Sequence, residues 1–318
     1  MRRDTSNTRE PKGRYRVRNW AAYNAGLINR GNVTMWIDDA ALANLPDTES
    51  ARGRPRLYND ALIQALLSLK TVFHLPLRAL QGFAQSLREL AFAQLPVPNY
   101  TTLCRRAQTL KVQLPIIRDG ASIHLVVDST GVKVYGEGEW KVRQHGYSKR
   151  RTWRKVHLAL DANSGQVCAA LMTHQDVADG DVLADLLDQI PTDERLNVVG
   201  GDGAYDSKAC HAAIVARGAV PSIPPREGAA HWPANTPGAA WRNSAVDAIA
   251  RVGRREWKKN DGYHRRSLAE NVMYRFKTLT GNSLWARLTD AQAAEIAIRV
   301  GVLNRMADLA RPQSVRIA

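Results

Sequence analysis

Cysteine is scarce in this 318-residue chain: Cys104, Cys168 and Cys210 lie far apart and never in a C-x-x-C spacing. That pattern excludes a disulfide framework and a structural zinc site as organising devices, and it suits a reducing compartment. Long apolar runs are also missing. No stretch approaches the roughly 18 apolar residues of a membrane-spanning helix, so no membrane partner is expected. The opening Met-Arg-Arg-Asp-Thr-Ser has no apolar segment behind it and does not read as a secretory leader; a cytoplasmic location is expected. There is no internal repeat and no low-complexity tract. Acidic residues are in short supply, 30 against 45 Lys and Arg, which leaves a net charge of +15. A domain this basic suits a polyanionic partner, of which nucleic acid is the commonest.

The distribution of charge sharpens that reading. Between Asp161 and Asp206 there are ten acidic residues and one basic residue, Arg195. The flanking stretches are the reverse: eight basic against two acidic over 133–155, and nine basic against three acidic over 251–277. Basic blocks around an acidic centre suit a DNA-cleaving enzyme, with cations for phosphates outside and carboxylates for metal inside.

Residues 1–19 are polar and basic, with Arg14, Arg16 and Arg18 alternating, and are expected to form a flexible arm. Short helices broken at Gly31-Asn32 are predicted over 20–46. Ala-Arg-Gly-Arg-Pro-Arg at 51–56 has two readings: an AT-hook-like core placing Arg54 in a minor groove, or a linker broken at Pro55. Apolar periodicity predicts helices over 59–74, from Pro76 to about 91, and from about 101 to 110, the last carrying Arg105 and Arg106. Three short helices with tight turns fit a helix-turn-helix whose third helix faces DNA; a plain bundle with solvated arginines is the alternative.

From about 121 the pattern turns to strands. Ile123–Val127 is an apolar run ending on Asp128; Val132–Tyr135, Trp153–Leu160 and Gln166–Met172 follow. A helix over 180–190, opened by Asp176, Asp179 and Asp181 as candidate caps, leads to a short strand at 197–199 that runs into Gly201-Asp202-Gly203. A helix over 207–217 and a strand over 219–223 come next. Residues 224–262 read as an irregular stretch with four prolines and Trp232, Trp241 and Trp257. Helices are expected over 265–280 and, amphipathic, over 290–310. This order of elements predicts an α/β fold built on a sheet of mixed direction.

The chemistry sits on three carboxylates. Asp128 and Asp202 are predicted just past the ends of buried strands, where α/β sheets place ligands. Burying a carboxylate is unfavourable without a compensating partner, and two on one sheet suggest a shared cation. Oxygen ligands with no His or Cys cluster favour Mg²⁺ or Mn²⁺. The third is Glu270. In Gly262–Lys277, helical spacing sets Arg266, Glu270 and Lys277 on one face and Val272, Met273 and Phe276 on the other. A surface salt-bridge ladder is the bland reading of that face. Lys141, Arg143, Lys149, Arg150, Arg151, Arg154 and Lys155 form a dense basic block read as a phosphate-binding surface, with a solvated hairpin as the alternative.

The spacing Tyr263-x₂-Arg266-x₃-Glu270-x₆-Lys277 resembles the Y-R-E-K signature of bacterial insertion-sequence transposases with a DDE triad. Asp202-Gly-Ala-Tyr-Asp206 resembles their second-aspartate motif and Asp128-Ser-Thr-Gly131 their first. Gly136–Gly146, Arg151–His157, Arg275–Leu279, Trp20-x₂-Tyr23-Asn24 and Ser314–Ile317 extend the likeness over nearly the whole chain, to insertion-sequence family five and the subgroup typified by insertion sequence 903.

The resemblance implies a helical DNA-binding domain over 1–118 and an RNase H-like catalytic domain over 119–318, with an insertion around 224–262. It implies that Asp128, Asp202 and Glu270 hold two Mg²⁺ or Mn²⁺ ions for DNA cleavage and strand transfer. It also implies that Tyr263, Arg266 and Lys277 contact the element's double-stranded DNA end, and that the protein pairs two ends as at least a dimer in the bacterial nucleoid. A non-catalytic DNA-binding regulator and a simple metal-dependent nuclease are the alternatives. One of the three tryptophans is a candidate for stacking on an unpaired base, with core packing as the other reading.

Overall fold

The computed structural model describes residues 14–43, 57–112, 114, 122–134 and 153–317. The AT-hook-like segment with Arg54, and Lys141, Arg143, Lys149, Arg150 and Arg151 of the basic block, lie outside those residues.

The arm expected at the start is in part a strand. β1 (Arg14–Val17) pairs antiparallel with the chain's last strand, Arg14 opposite Ile317 and Val17 opposite Ser314. Alternating arginines suit the two-residue period of a strand, and the distant partner, invisible from local pattern, supplies the ladder. After the helices α1 (Trp20–Asn29) and α2 (Asp39–Ala43) come the three expected helices. α3 (Asp60–Val72) is capped by Asn59, whose side chain accepts from Leu62 N at 2.8 Å. α4 (Leu77–Leu90) begins after Pro76, and α5 (Tyr100–Arg106) is capped by Asn99. Leu62, Ile63, Leu66, Leu69, Leu80 and Leu103 are buried together in one core.

The sheet is organised on β2 (Ile123–Val134). β3 (Trp153–Asp161) pairs with it antiparallel, Asp128 opposite Leu158, and β4 (Val167–His174) continues the antiparallel run. After α6 (Leu183–Asp188), β5 (Leu196–Gly200) returns on the other side of β2, parallel to it. α7 (Lys208–Ala216) then leads to β6 (Val220–Ser222), parallel to β5. The strand order is β4-β3-β2-β5-β6. Two strands had been expected where β2 is one. Asp128 therefore sits mid-strand, because β3 keeps pairing past it to Lys133, and Gly131 fits where the Trp153 ring closes to 3.3 Å of a Cβ there. The aspartates expected to cap the helix near 180 make no such cap; a 3₁₀ turn at Asp179–Val182 precedes α6 instead.

Residues 224–262, expected to be irregular, hold two helices: α8 (Ala239–Val252) and α9 (Arg254–Asn260). Prolines confined to 224–237 set the early part of the segment apart, and the left-handed Gly238 and Gly253 mark the helix boundaries. A 3₁₀ turn, Tyr263–Arg266, opens α10 (Ser267–Thr280), which packs Ala269, Val272, Met273 and Phe276 onto Val126, Val132 and Leu158 of the sheet. The two-residue β7 (Ser283–Leu284) pairs with the far end of β2. α11 (Thr289–Leu309) is not amphipathic but buried on opposite sides: Ile296, Val300 and Leu303 join the sheet core, while Ile298, Val302 and Met306 join the core of α3–α5. It ends before β8 (Ser314–Ile317).

Candidate active site

β2, the loop after β5, and α10 bring Asp128, Asp202 and Glu270 around a single guanidinium. Arg266 Nη2 stands 3.2 Å from Asp128 Oδ2 and 3.9 Å from Asp202 Oδ2; its Nη1 stands 3.0 Å from Glu270 Oε1. Each aspartate is held by its other oxygen. Asp128 Oδ1 accepts from Ser129 N at 2.9 Å, and Asp202 Oδ1 accepts from Ala204 N at 2.8 Å. One oxygen fixes the side chain to its own backbone and the second is presented to the shared centre. Asp128 side chain is the most enclosed, 14% exposed against 37% for Asp202 and 62% for Glu270.

That enclosure sets the electrostatics. Burial pushes the Asp128 carboxyl above its ordinary value; the Ser129 amide and Arg266 oppose this, while Asp202 and Asp179 add to it. For Arg266, burial disfavours the cation, yet the field of Asp128, Tyr263, Asp202 and Glu270 wins and raises its pKa. The Tyr263 hydroxyl is pushed up by burial, with Arg266 opposing and the carboxylates assisting. Tyr263 is therefore beside the site, with Lys258 Nζ 4.8 Å over its ring.

The Asp202 loop has its own support. A Cβ at Gly201 would lie 2.7 Å from the Tyr205 ring and 3.2 Å from Val127 Cγ2, so only glycine lets the chain turn there. The Asp206 carboxylate, behind the loop, accepts from Arg242 and from Arg226 N, and Arg242 stacks on Trp232 at 4.1 Å. Burial would raise the Asp206 pKa, but His211 Nε2 at 3.5 Å and the hydrogen bonds from Arg242 and the Arg226 amide win and hold it well below the carboxylate range. Sequence reasoning missed Arg242, and read Asp179 as a candidate cap where the fold sets it against Lys155 and His157. Asp206 lay inside a quoted motif, but its partner is far away in α8.

Other expected contact residues are dispersed. Lys277 lies about two turns along α10 from Glu270, and among the described residues no ion pair joins it to the triad. Arg106 is committed to Asp60 and to Tyr58 O, whereas Arg105 is exposed. Arg154 Nε donates to Gln292 Oε1 at 2.9 Å. Lys155 donates to Val177 O at 2.9 Å and pairs with Asp179 at 3.2 Å. Trp257 is buried and Trp241 is 51% exposed.

A family model described as a transposase DDE domain matches residues 119–305, more than half of the chain. The chain belongs to the transposase DDE-domain family. A second model of the same description matches residues 28–137. Among solved structures, this DDE-domain chain is similar to the piggyBac transposase in a synaptic complex with hairpin DNA, at 9% identity over 92% of this chain and 77% of that one, with a TM-score of 0.35. It is also similar to a chain of the simian T-cell lymphotropic virus intasome with PP2A regulatory subunit B56 gamma, at 13% identity, 64% of each chain and a TM-score of 0.26. The Drosophila P element transposase strand transfer complex gives 13% identity, 55% of this chain, 39% of that chain and a TM-score of 0.28. The DDE-domain chain thus spans 64% of the matched intasome chain's length. No helix among its described residues is long and apolar enough to cross a membrane.

Proposed function

We propose that this chain is a transposase that cleaves double-stranded DNA at the ends of its element and joins the freed 3′ end to target DNA. The observation that carries the proposal is the convergence of Asp128, Asp202 and Glu270, from three separate elements, on one cationic group. The donor set suits Mg²⁺ or Mn²⁺: all three side chains offer carboxylate oxygen, and they already gather around one cation. Asp128, Asp202 and Glu270 would hold two such ions. When bound, the metal supplies Lewis acidity and charge neutralisation for in-line phosphoryl transfer.

The chain's own residues set the stage for that chemistry. The Ser129 and Ala204 amides fix the two aspartates before substrate arrives, so these two side chains need not reorganise at the reacting phosphate. Burial of Asp128 keeps its surroundings poor in water, which strengthens electrostatic interactions there. Tyr263, Arg266 and Lys277 are assigned to the DNA end, the two cations through phosphates. Exposed Arg105 joins them, and Arg54, Lys141, Arg143 and Arg151 extend the basic surface by sequence.

The finer assignments follow the resemblance. The strand order supports an RNase H-like catalytic domain over 119–318, with α8 and α9 as its insertion, behind a helix-turn-helix-like domain over 1–118. Membership of the subgroup typified by insertion sequence 903, at least a dimer when two ends are paired, and a nucleoid location belong to the same proposal.

The test is a DNA fragment bearing the element's own end, incubated with Mg²⁺ and then with chelator. Metal-dependent nicking followed by joining to a target plasmid is the expected result. Binding without cleavage in any metal identifies a regulator, and cleavage without joining a nuclease. Asp202→Ala should abolish cleavage, by about 10³-fold or more, while sparing DNA binding; cleavage surviving in that variant overturns the assignment.

A further inference from the structure

Arg266 does more than border the carboxylates: it stands between them. Its two terminal nitrogens divide the set, Nη1 to Glu270 and Nη2 to Asp128 and Asp202. Spread around that planar group, the three are not packed into a ready set of metal ligands; among the described residues no three His, Cys, Asp or Glu side chains are so placed. A guanidinium stays charged at any pH the protein meets, so it occupies the position without relief by titration. One positive charge facing three carboxylates leaves the site under-neutralised.

The pose is also one that another ligand can beat. Arg266 Nε is buried with no hydrogen-bond partner among the described residues, and a buried unpaired donor costs about 1–3 kcal/mol. The side chain is 23% exposed, so it has a route to solvent. A phosphate diester offers a guanidinium two parallel oxygens at once, the geometry it binds best.

We propose that Arg266 is an internal plug: in the DNA-free chain it fills the cation position between Asp128, Asp202 and Glu270, and a DNA phosphate withdraws it and opens the carboxylates to divalent metal. The inference rests on the metal-site reading above and adds regulation of that site. Its consequence is reciprocal coupling. DNA tightens metal binding, and metal tightens DNA binding by the same factor. The chain is then armed only on DNA.

The experiment is a Mn²⁺ titration of the full chain, followed by the electron paramagnetic resonance signal of free Mn²⁺, with and without a short duplex of arbitrary sequence. No catalysis is needed. The chain with Asp128→Asn and the same duplex gives the background of Mn²⁺ on DNA. Without DNA, Arg266→Gln is expected to bind Mn²⁺ about tenfold more tightly than the unaltered chain. Duplex should tighten binding by about tenfold in the unaltered chain and hardly at all in Arg266→Gln. Equal Mn²⁺ affinity in the two chains, with equal response to DNA, overturns the plug. If Asp128→Asn binds Mn²⁺ as well as the unaltered chain, the metal-site reading itself has failed. Should Arg266→Gln not fold, Arg266→Lys carries the test. It keeps the charge and loses the planar pair of donors, so a smaller gain without DNA is expected, and no gain overturns the proposal.

Discussion

Arg242 grips Asp206 with two nitrogens, Nε 2.7 Å from Oδ1 and Nη2 3.2 Å from Oδ2, four residues beyond the candidate catalytic Asp202. Both side chains are nearly inaccessible, 6% and 1% exposed. The pair ties the Asp202 loop to the start of α8. Breaking such a pair strands a buried charge, so Asp206→Asn should destabilise the chain by about 3–5 kcal/mol in urea unfolding. A loss below about 1 kcal/mol would mean that the loop is held by other contacts.

The pH dependence of that pair has a definite sign. Hydrogen bonding overcomes burial and depresses the folded-state pKa of Asp206, so its contribution to stability is full above the ordinary aspartate value of about 3.9. It is lost as pH falls from there towards the folded-state value. Asp128 is the opposite case: burial raises its pKa, so its ionised form weakens the fold as pH rises through that raised value. Asp128→Asn should therefore raise the melting temperature at pH 7 in chelator, with less gain at pH 4, while abolishing cleavage. An equal change at both pH values would remove the electrostatic account.

Much of this was legible in the sequence because the signals were local. The apolar periodicity over 59–74, 76–91 and 101–110 falls on α3, α4 and α5, and the Asp128, Asp202 and Glu270 motifs sit on β2, after β5 and on α10. What escaped was non-local. Arg14–Val17 becomes a strand only because Ser314–Ile317 lies beside it. The helices of 224–262 were masked by prolines that stop at Pro237 and by indoles whose burial no pattern gives. The ion pair of Lys155 with Asp179 joins residues 24 apart that no local pattern links.

Arg105 and Arg106 are adjacent in sequence and unlike in structure. Arg106 pairs with Asp60 and donates to Tyr58 O, joining α5 to the start of α3. Arg106→Ala should lower stability by about 1–3 kcal/mol through the acceptors it leaves unpaired. Arg105 is exposed, so Arg105→Ala should leave the melting curve unchanged, weaken DNA binding for all sequences alike, and reduce the salt slope by about one. An unchanged salt slope takes Arg105 out of the DNA interface.

The tryptophans of 224–262 divide in the same way. Trp257 is 6% exposed and near the Tyr263 ring, so Trp257→Ala should cost about 3–5 kcal/mol as a core truncation does. Trp232 is engaged by Arg242 and His211 and belongs to the Asp206 assembly. Trp241 is half exposed on α8, one residue before Arg242, and among the described residues it joins no buried core cluster. Trp241→Ala should leave stability within about 0.5 kcal/mol. If the indole stacks on an unpaired base, the variant should nonetheless lower affinity for single-stranded or nicked ends by about 1–3 kcal/mol, leaving intact duplex unaffected. Equal affinity for all three DNA forms in the variant and the unaltered chain would leave Trp241 without a part in the reaction.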